Sequence, residues 1–261
     1  MKIATIQTDI HFGDPDANYE QMKQLIKKAL EQQPDLIVLP EMWNAAYDLE
    51  NLESHADEDG ERTITFLQSL ARQGNVTIHG GSVAVRRGSN YYNTSYTVDA
   101  TGEVIHVYDK MHLFQLMNEH HYLSPGTVAD TFELEEICFA AMTCYDLRFP
   151  ELARHYALKG AHVLLVPAQW PTARLDHWRI LLQARAIENQ MYVVAVNRVG
   201  NDPANAFPGH SLIIDPWGTI LYEGKSGEEV AITELDLGNV EEFRKKVPVF
   251  EDRLPTRYKL D

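Results

Sequence analysis

The chain is 261 residues long, 44% hydrophobic and 23% charged, which is ordinary globular composition. Its 23 lysines and arginines face 38 aspartates and glutamates, and the net charge of −15 repels phosphate backbones, arguing against a nucleic-acid partner. No apolar run approaches a membrane span, the N-terminus lacks a signal peptide's apolar core, and no linker or repeat divides the chain, so one domain spanning 1–261 in a cytoplasmic protein is expected.

Lys2–Gln7 reads as a first strand. Asp14 and Asp16 flank a helix start, and Tyr19, Met22, Leu25, Ile26, Ala29 and Leu30 give that helix one apolar face before Pro34. Leu36–Leu39 is a short continuous apolar run, hence a buried strand, with Pro40-Glu41 at its C-terminal end. The acidic stretch Asp48–Glu61 reads as a solvated loop. Glu61–Gln73 is a second helix, with Gly74 as its stop. Val76–His79, Ser82–Arg86, Tyr91–Val98 and Val104–Tyr108 form a β-rich block whose later pairs are hairpins, and Lys110 falls just past it. Glu119–Gly126 reads as a polar loop.

Ile137–Met142 is an apolar run that turns polar at Thr143-Cys144-Tyr145-Asp146 and passes through Pro150 into a helical pattern, Glu151–Lys159. Cys144 therefore stands where a buried strand hands over to a helix, and the backbone N–H groups that follow can lower a thiol pKa or hold an oxyanion. Cys138 is too far from it along an extended strand for a disulfide, and two unpaired thiols suit a reduced compartment. The strand Val163–Val166, the helix Asp176–Asn189 and the strand Val193–Asn197 follow. A hairpin of His210–Ile214 with Thr219–Tyr222, the strand Val230–Glu234 and a short helix complete the body, with a C-terminal arm from about 248. The alternation of strands and helices gives an α/β chain with a mixed sheet, large enough for two sheets.

Glu41, Lys110 and Cys144 all stand at C-terminal ends of predicted strands, which face one side of a sheet. Their chemistry is complementary. A carboxylate takes a thiol proton, and a buried ammonium stabilises the thiolate and the oxyanion of a tetrahedral intermediate. Read singly, Cys144 is a small buried hydrophobe, Glu41 a helix cap and Lys110 an exposed charge.

Leu39-Pro40-Glu41, Lys110-Met111-His112-Leu113-Phe114 and Thr143-Cys144-Tyr145-Asp146-Leu147-Arg148-Phe149-Pro150-Glu151 resemble, in order, the three motif blocks of the nitrilase superfamily of carbon–nitrogen hydrolases. The similarity continues through Ala184–Asn189 and Asp215-Pro216-Trp217-Gly218 and covers nearly the whole chain. It implies a four-layer αββα sandwich, paired as a homodimer through its helices. It also implies a small-molecule amide substrate and no metal or organic cofactor. By the same resemblance Glu41 is the general base, Cys144 the nucleophile, and Lys110 with the backbone N–H of Tyr145 the oxyanion holder. Glu119 is the candidate second glutamate, which helps position substrate; its alternative is a solvated loop carboxylate.

Within the superfamily, Glu119-His120-His121-Tyr122, Gln169-Trp170-Pro171 and Val196–Gly200 look closest to the bacterial ω-amidase branch, which hydrolyses the terminal amide of 2-oxoglutaramate and 2-oxosuccinamate and is tied to methionine salvage. Such a substrate carries a carboxylate that needs a cationic partner, and Arg148 and Arg198 are the two candidates. Gln169 and Trp170 follow a strand end and wall the expected pocket. The spacing of His112, His120 and His121 gives no metal shell. The alternatives are an N-carbamoyl-amino-acid or aliphatic amide hydrolase of the same superfamily, and a non-catalytic dimeric scaffold.

Overall fold

A computed structural model describes residues 1–257. Of the expected arm from about 248, the stretch up to Arg257 is described, and 258–261 lie outside the described residues. In chain order the first half holds β1 (Lys2–Gln7), α1 (Pro15–Leu30), β2 (Leu36–Val38), α2 (Leu52–His55), β3 (Asp57–Glu58) and α3 (Glu61–Gly74). It continues with β4 (Thr77–His79), β5 (Val83–Arg87), β6 (Asn90–Val98), β7 (Val104–Asp109) and α4 (Glu119–Tyr122). The second half holds β8 (Thr131–Leu134), β9 (Ile137–Ala141), α5 (Pro150–Leu158), β10 (Val163–Ala168), α6 (Leu175–Asn189) and β11 (Tyr192–Asn197). A small hairpin of β12 (Val199–Asn201) and β13 (Ala206–Pro208), then β14 (Leu212–Ile214), β15 (Ile220–Glu223), β16 (Glu229–Glu234) and α7 (Val240–Lys246), complete it.

The first sheet runs β16–β1–β2–β4–β6–β5–β3 with β7 also on β6, and the second runs β15–β14–β11–β10–β9–β8. In each, the central strands are parallel: β1–β2–β4 in the first, β9–β10–β11 in the second. Strand alternation explains the layers. Ile3, Leu36 and Val38 point at the second sheet and meet Phe139, Ala141, Val163, Leu165 and Val194. The residues between them face outward: Ala4, Ile6 and Ile37 pack under α1 and α3, and Ala140, Leu164 and Val193 under α5 and α6. Both faces of each central strand are buried, which is why these segments read as continuous apolar runs. The result is the expected αββα sandwich.

Several local expectations change. Gly74 does not stop α3; Asn75 does, in left-handed backbone at φ 47° with its N–H on the Ala71 carbonyl. Gly74 is instead where α3 crosses α1, since a Cβ there would run into Leu30. The acidic stretch 48–61 is not a solvated loop. Asp48 is buried against His55 at 2.9 Å, and the Asp57 carboxylate accepts the N–H groups of Arg62 and Thr63 (3.1 and 2.7 Å), satisfying the open first turn of α3. β8 has no counterpart among the sequence expectations; it pairs antiparallel with β9 at the sheet edge.

Gly81 joins this fold to what lies at the end of β2. It adopts φ +58°, and a Cβ would collide with the Pro40 carbonyl just before Glu41. Gly88, at φ +60°, has nothing within 4 Å of such a Cβ. Gly81→Ala is expected to lose about 2 kcal/mol or more in urea unfolding, and Gly88→Ala about 1 kcal/mol, from backbone strain alone.

Candidate active site

The ends of β2, β7, β9 and β10 converge where the two sheets meet. Glu41 follows β2 and is fully buried. Its Oε1 accepts from Lys110 Nζ (2.9 Å), Tyr47 OH (2.7 Å) and Asn93 Nδ2 (2.9 Å), and its Oε2 accepts the backbone N–H of Gln169 (2.7 Å). Lys110 follows β7, and its ammonium also donates to Glu119 Oε1 at 2.6 Å and approaches the Tyr47 hydroxyl at 3.3 Å. All three ammonium donors thus find acceptors within one cluster.

Glu119 is not a solvated loop carboxylate. Asn118, at φ 60°, turns the chain so that Glu119 opens α4 pointing inward, where it is fully buried. Its Oε2 accepts the Phe114 N–H at 2.7 Å, and its Oε1 also lies 2.6 Å from Tyr47 OH. Tyr47 has one hydroxyl proton for two carboxylates, so it bridges Glu41 and Glu119 and satisfies one at a time.

Cys144 stands at φ 47°, in the left-handed region that non-glycine residues avoid. This strand-to-turn corner presents its side chain at the floor of a cavity. Asp146 holds the corner. Its buried carboxylate accepts the Thr143 N–H (2.9 Å), the Tyr108 hydroxyl (2.7 Å), and the His112 backbone N–H (2.9 Å), with His112 Nδ1 at 2.7 Å. Tyr108 and His112 flank Lys110, so one carboxylate fixes Lys110's segment against the Cys144 turn.

The electrostatics follow from burial. Burial alone pushes the Lys110 ammonium down, but Glu119 and Glu41 outweigh it and its pKa ends above the usual lysine value. Burial raises the Glu119 carboxyl despite Lys110. The Cys144 thiol is pushed well up, by burial first and then by the Glu41 charge, with Lys110 opposing. Of the two roles the sequence left open for the backbone N–H groups after Cys144, lowering the thiol pKa or holding an oxyanion, the first is outweighed by burial and Glu41. At rest Cys144 is a thiol beside a carboxylate, not a standing thiolate.

A narrow cavity lies over Cys144. Tyr145, Arg148, Gln169 and Trp170, all expected at the site, line it, together with Phe114, Met117 and Arg174. Arg198 does not. Its guanidinium is buried, donates to Gln169 Oε1 (2.9 Å) and Asp9 Oδ1 (2.7 Å), and lies over the Phe207 ring. This corrects Arg198's candidacy for a substrate carboxylate: its donors are committed to an ion pair and to Gln169, whose amide donates to the Glu41 carbonyl at 2.8 Å.

Tyr47, Asn93, Arg174 and the cavity-lining Met117 escaped the sequence reading. Tyr47 reaches back to Glu41 because Met42 and Ala46 take left-handed backbone (φ 45° and 56°) and coil the chain on itself, which no spacing rule reveals. Asn93 lies on β6 with nothing to mark it. Arg174 had a signal: it closely follows Gln169-Trp170-Pro171, and its carbonyl accepts the Trp170 indole N–H at 2.8 Å.

A family model described as "Carbon-nitrogen hydrolase" matches residues 2–245. The chain belongs to the carbon-nitrogen hydrolase family. This carbon-nitrogen hydrolase is 48% identical over 250 residues to the 2-oxoglutaramate amidase of Bacillus subtilis, covering 96% of each chain. It is 32% identical to the omega-amidase NIT3 of Saccharomyces cerevisiae, over 97% of this chain and 93% of that one. The crystal structure of XC1258 from Xanthomonas campestris, a CN-hydrolase superfamily protein with an arsenic adduct in the active site, is similar at a TM-score of 0.91. Identity there is 30%, with 97% of each chain covered. The αββα sandwich of the carbon-nitrogen hydrolase is thus the nitrilase-superfamily fold.

Removing Lys110 leaves two buried carboxylates facing each other. Lys110→Met is expected to lose about 3–5 kcal/mol of stability at neutral pH. The Glu119 carboxyl, raised by burial and now without Lys110 to oppose it, then binds its proton more tightly folded than unfolded, so the variant's stability rises as pH falls from neutral toward the ordinary glutamate value of about 4.3. Urea unfolding across that range measures it; a loss independent of pH would mean the cluster is not electrostatically coupled.

Proposed function

We propose that this chain is a thiol amidohydrolase that cleaves the terminal amide of 2-oxo dicarboxylate monoamides such as 2-oxoglutaramate and 2-oxosuccinamate, giving the acid and ammonia. The observation that carries the reading is a buried thiol beside Glu41 and Lys110, facing a cavity that carries an arginine with no carboxylate partner among the described residues. The 48% identity to a 2-oxoglutaramate amidase supports the substrate.

In this reading the Cys144 sulfur attacks the amide carbon while its proton passes to Glu41. The raised thiol pKa favours transfer in concert with attack, since a free thiolate is costly in this pocket. The oxyanion is received by the Lys110 ammonium and the Tyr145 backbone N–H. Glu41 returns the proton to the departing nitrogen, ammonia leaves, and a thioester remains on Cys144. Water then attacks the thioester with Glu41 again as base, releasing the acid and restoring the thiol. Glu119 holds Lys110 from the other side and helps position the amide, Arg148 pairs with the substrate carboxylate, and Gln169 and Trp170 wall the pocket.

The reading extends to assembly and location. Ile180 and Ile187 remain 63% and 52% exposed on α6, an apolar surface suited to a homodimer paired through its helices. Among the described residues no helix is long and apolar enough to cross a membrane, and the unpaired Cys138 and Cys144 suit a reducing cytoplasm.

Ammonia release from 2-oxoglutaramate, glutamine, a carbamoyl amino acid and a simple nitrile tests the substrate. Release is expected from the 2-oxo amide foremost, abolished in Cys144→Ala and reduced by about 10³-fold or more in Glu41→Gln. Turnover confined to the carbamoyl compound or the nitrile would sink the substrate assignment.

A further inference from the structure

The chain carries a net charge of −15, yet the lining of the Cys144 cavity holds two guanidiniums, Arg148 and Arg174, and no carboxylate. Arg148 lies over the Trp170 ring (4.8 Å) with its Nη2 at 3.3 Å from His177 Nδ1, and Arg174 lies over the Phe114 ring (5.4 Å). Among the described residues neither has an acidic partner. They repel each other: burial first, then the Arg174 charge, lowers the Arg148 pKa. Two like charges left unpaired in a half-dry cavity are unfavourable until an anion enters.

Resting on the amidase reading above, we infer that Arg174 is a specificity-determining residue that acts with Arg148 as a double-guanidinium receptor for the 2-oxo acid head of the substrate. A guanidinium only donates. A 2-oxo acid head only accepts: two carboxylate oxygens and the adjoining ketone oxygen. Two donor forks match that array, where a lone carboxylate would fill one. The same pair excludes glutamine. Glutamine carries an ammonium, a charged donor, on the carbon where the 2-oxo substrate carries its ketone, and the cavity lining offers no carboxylate to receive it. Selectivity thus arises from repulsion of the amino acid as much as from attraction of the oxo acid.

The test compares the natural chain with Arg174→Gln in two ways. One is kcat/KM for 2-oxoglutaramate and for glutamine. The other is the rate of Cys144 alkylation by 3-bromopyruvate and by bromoacetone, which share a bromomethyl ketone and differ in a carboxylate or a methyl. The 2-oxoglutaramate-to-glutamine ratio is expected to fall about tenfold or more, mostly through KM, with the bromopyruvate preference falling in step. Arg174→Lys recovers part of each. Both ratios remaining within about twofold of the natural chain would overturn the inference. So would an equal loss on both amides with an unchanged alkylation preference, the mark of a purely structural residue. If the natural chain releases no ammonia from any 2-oxo amide, the substrate reading fails on its own, and the alkylation preference alone decides the role of Arg174.

Discussion

The placement of the Lys110 ammonium between Glu41 and Glu119, fully out of water, is the constraint on which the rest of the site depends. Such a cluster is expensive to desolvate and is tolerated only where every lone pair and proton finds a partner. Glu41 comes close to that condition: its two oxygens accept an ammonium, an amide and a backbone N–H, and it shares the Tyr47 phenol with Glu119. Burial first, and then the Glu41 charge, push the neighbouring Cys144 thiol up, with Lys110 opposing. The cluster therefore sets both the charge state of the nucleophile and the location of its base.

No single sheet builds this arrangement. Glu41, Asn93 and Lys110 come from the first sheet and its strand ends, while Gln169 and Cys144 come from the second. The Gln169 N–H on Glu41, and Asp146 on Tyr108 and His112, are polar contacts between the two sheets at the rim of their apolar interface. Packing of Phe139, Leu165 and Val194 against Ile3 and Val38 brings the sheets together without fixing their relative position to the accuracy a proton transfer needs. The directional bonds at the rim supply that.

The apolar runs of β2, β9, β10 and β11 were legible because both their faces are buried, and the strand ends then singled out Glu41, Lys110 and Cys144. Spacing failed where the chain leaves regular structure. Glu119 sits in a segment of polar composition, and only the left-handed Asn118 turns it inward. Tyr47 depends on two left-handed residues that are not glycines. Arg198 looked like a substrate ligand because it follows a strand end, yet Asp9, distant in sequence, claims it. The direction of the thiol pKa could not be read from spacing for a related reason. Backbone donors near Cys144 are visible from its position, whereas the depth of burial and the nearby carboxylate charge are tertiary facts.

Whether the buried pocket holds Cys144 as a resting thiol is read directly from the ultraviolet absorbance of the thiolate, followed against pH in a Cys138→Ser background. The Cys144 thiolate signal is expected to emerge only above the free-cysteine range of about 8.5, and Glu41→Gln is expected to bring it down. A thiolate already present at about pH 6 would mean that Lys110 dominates the pocket and that Glu41 has no thiol proton to take.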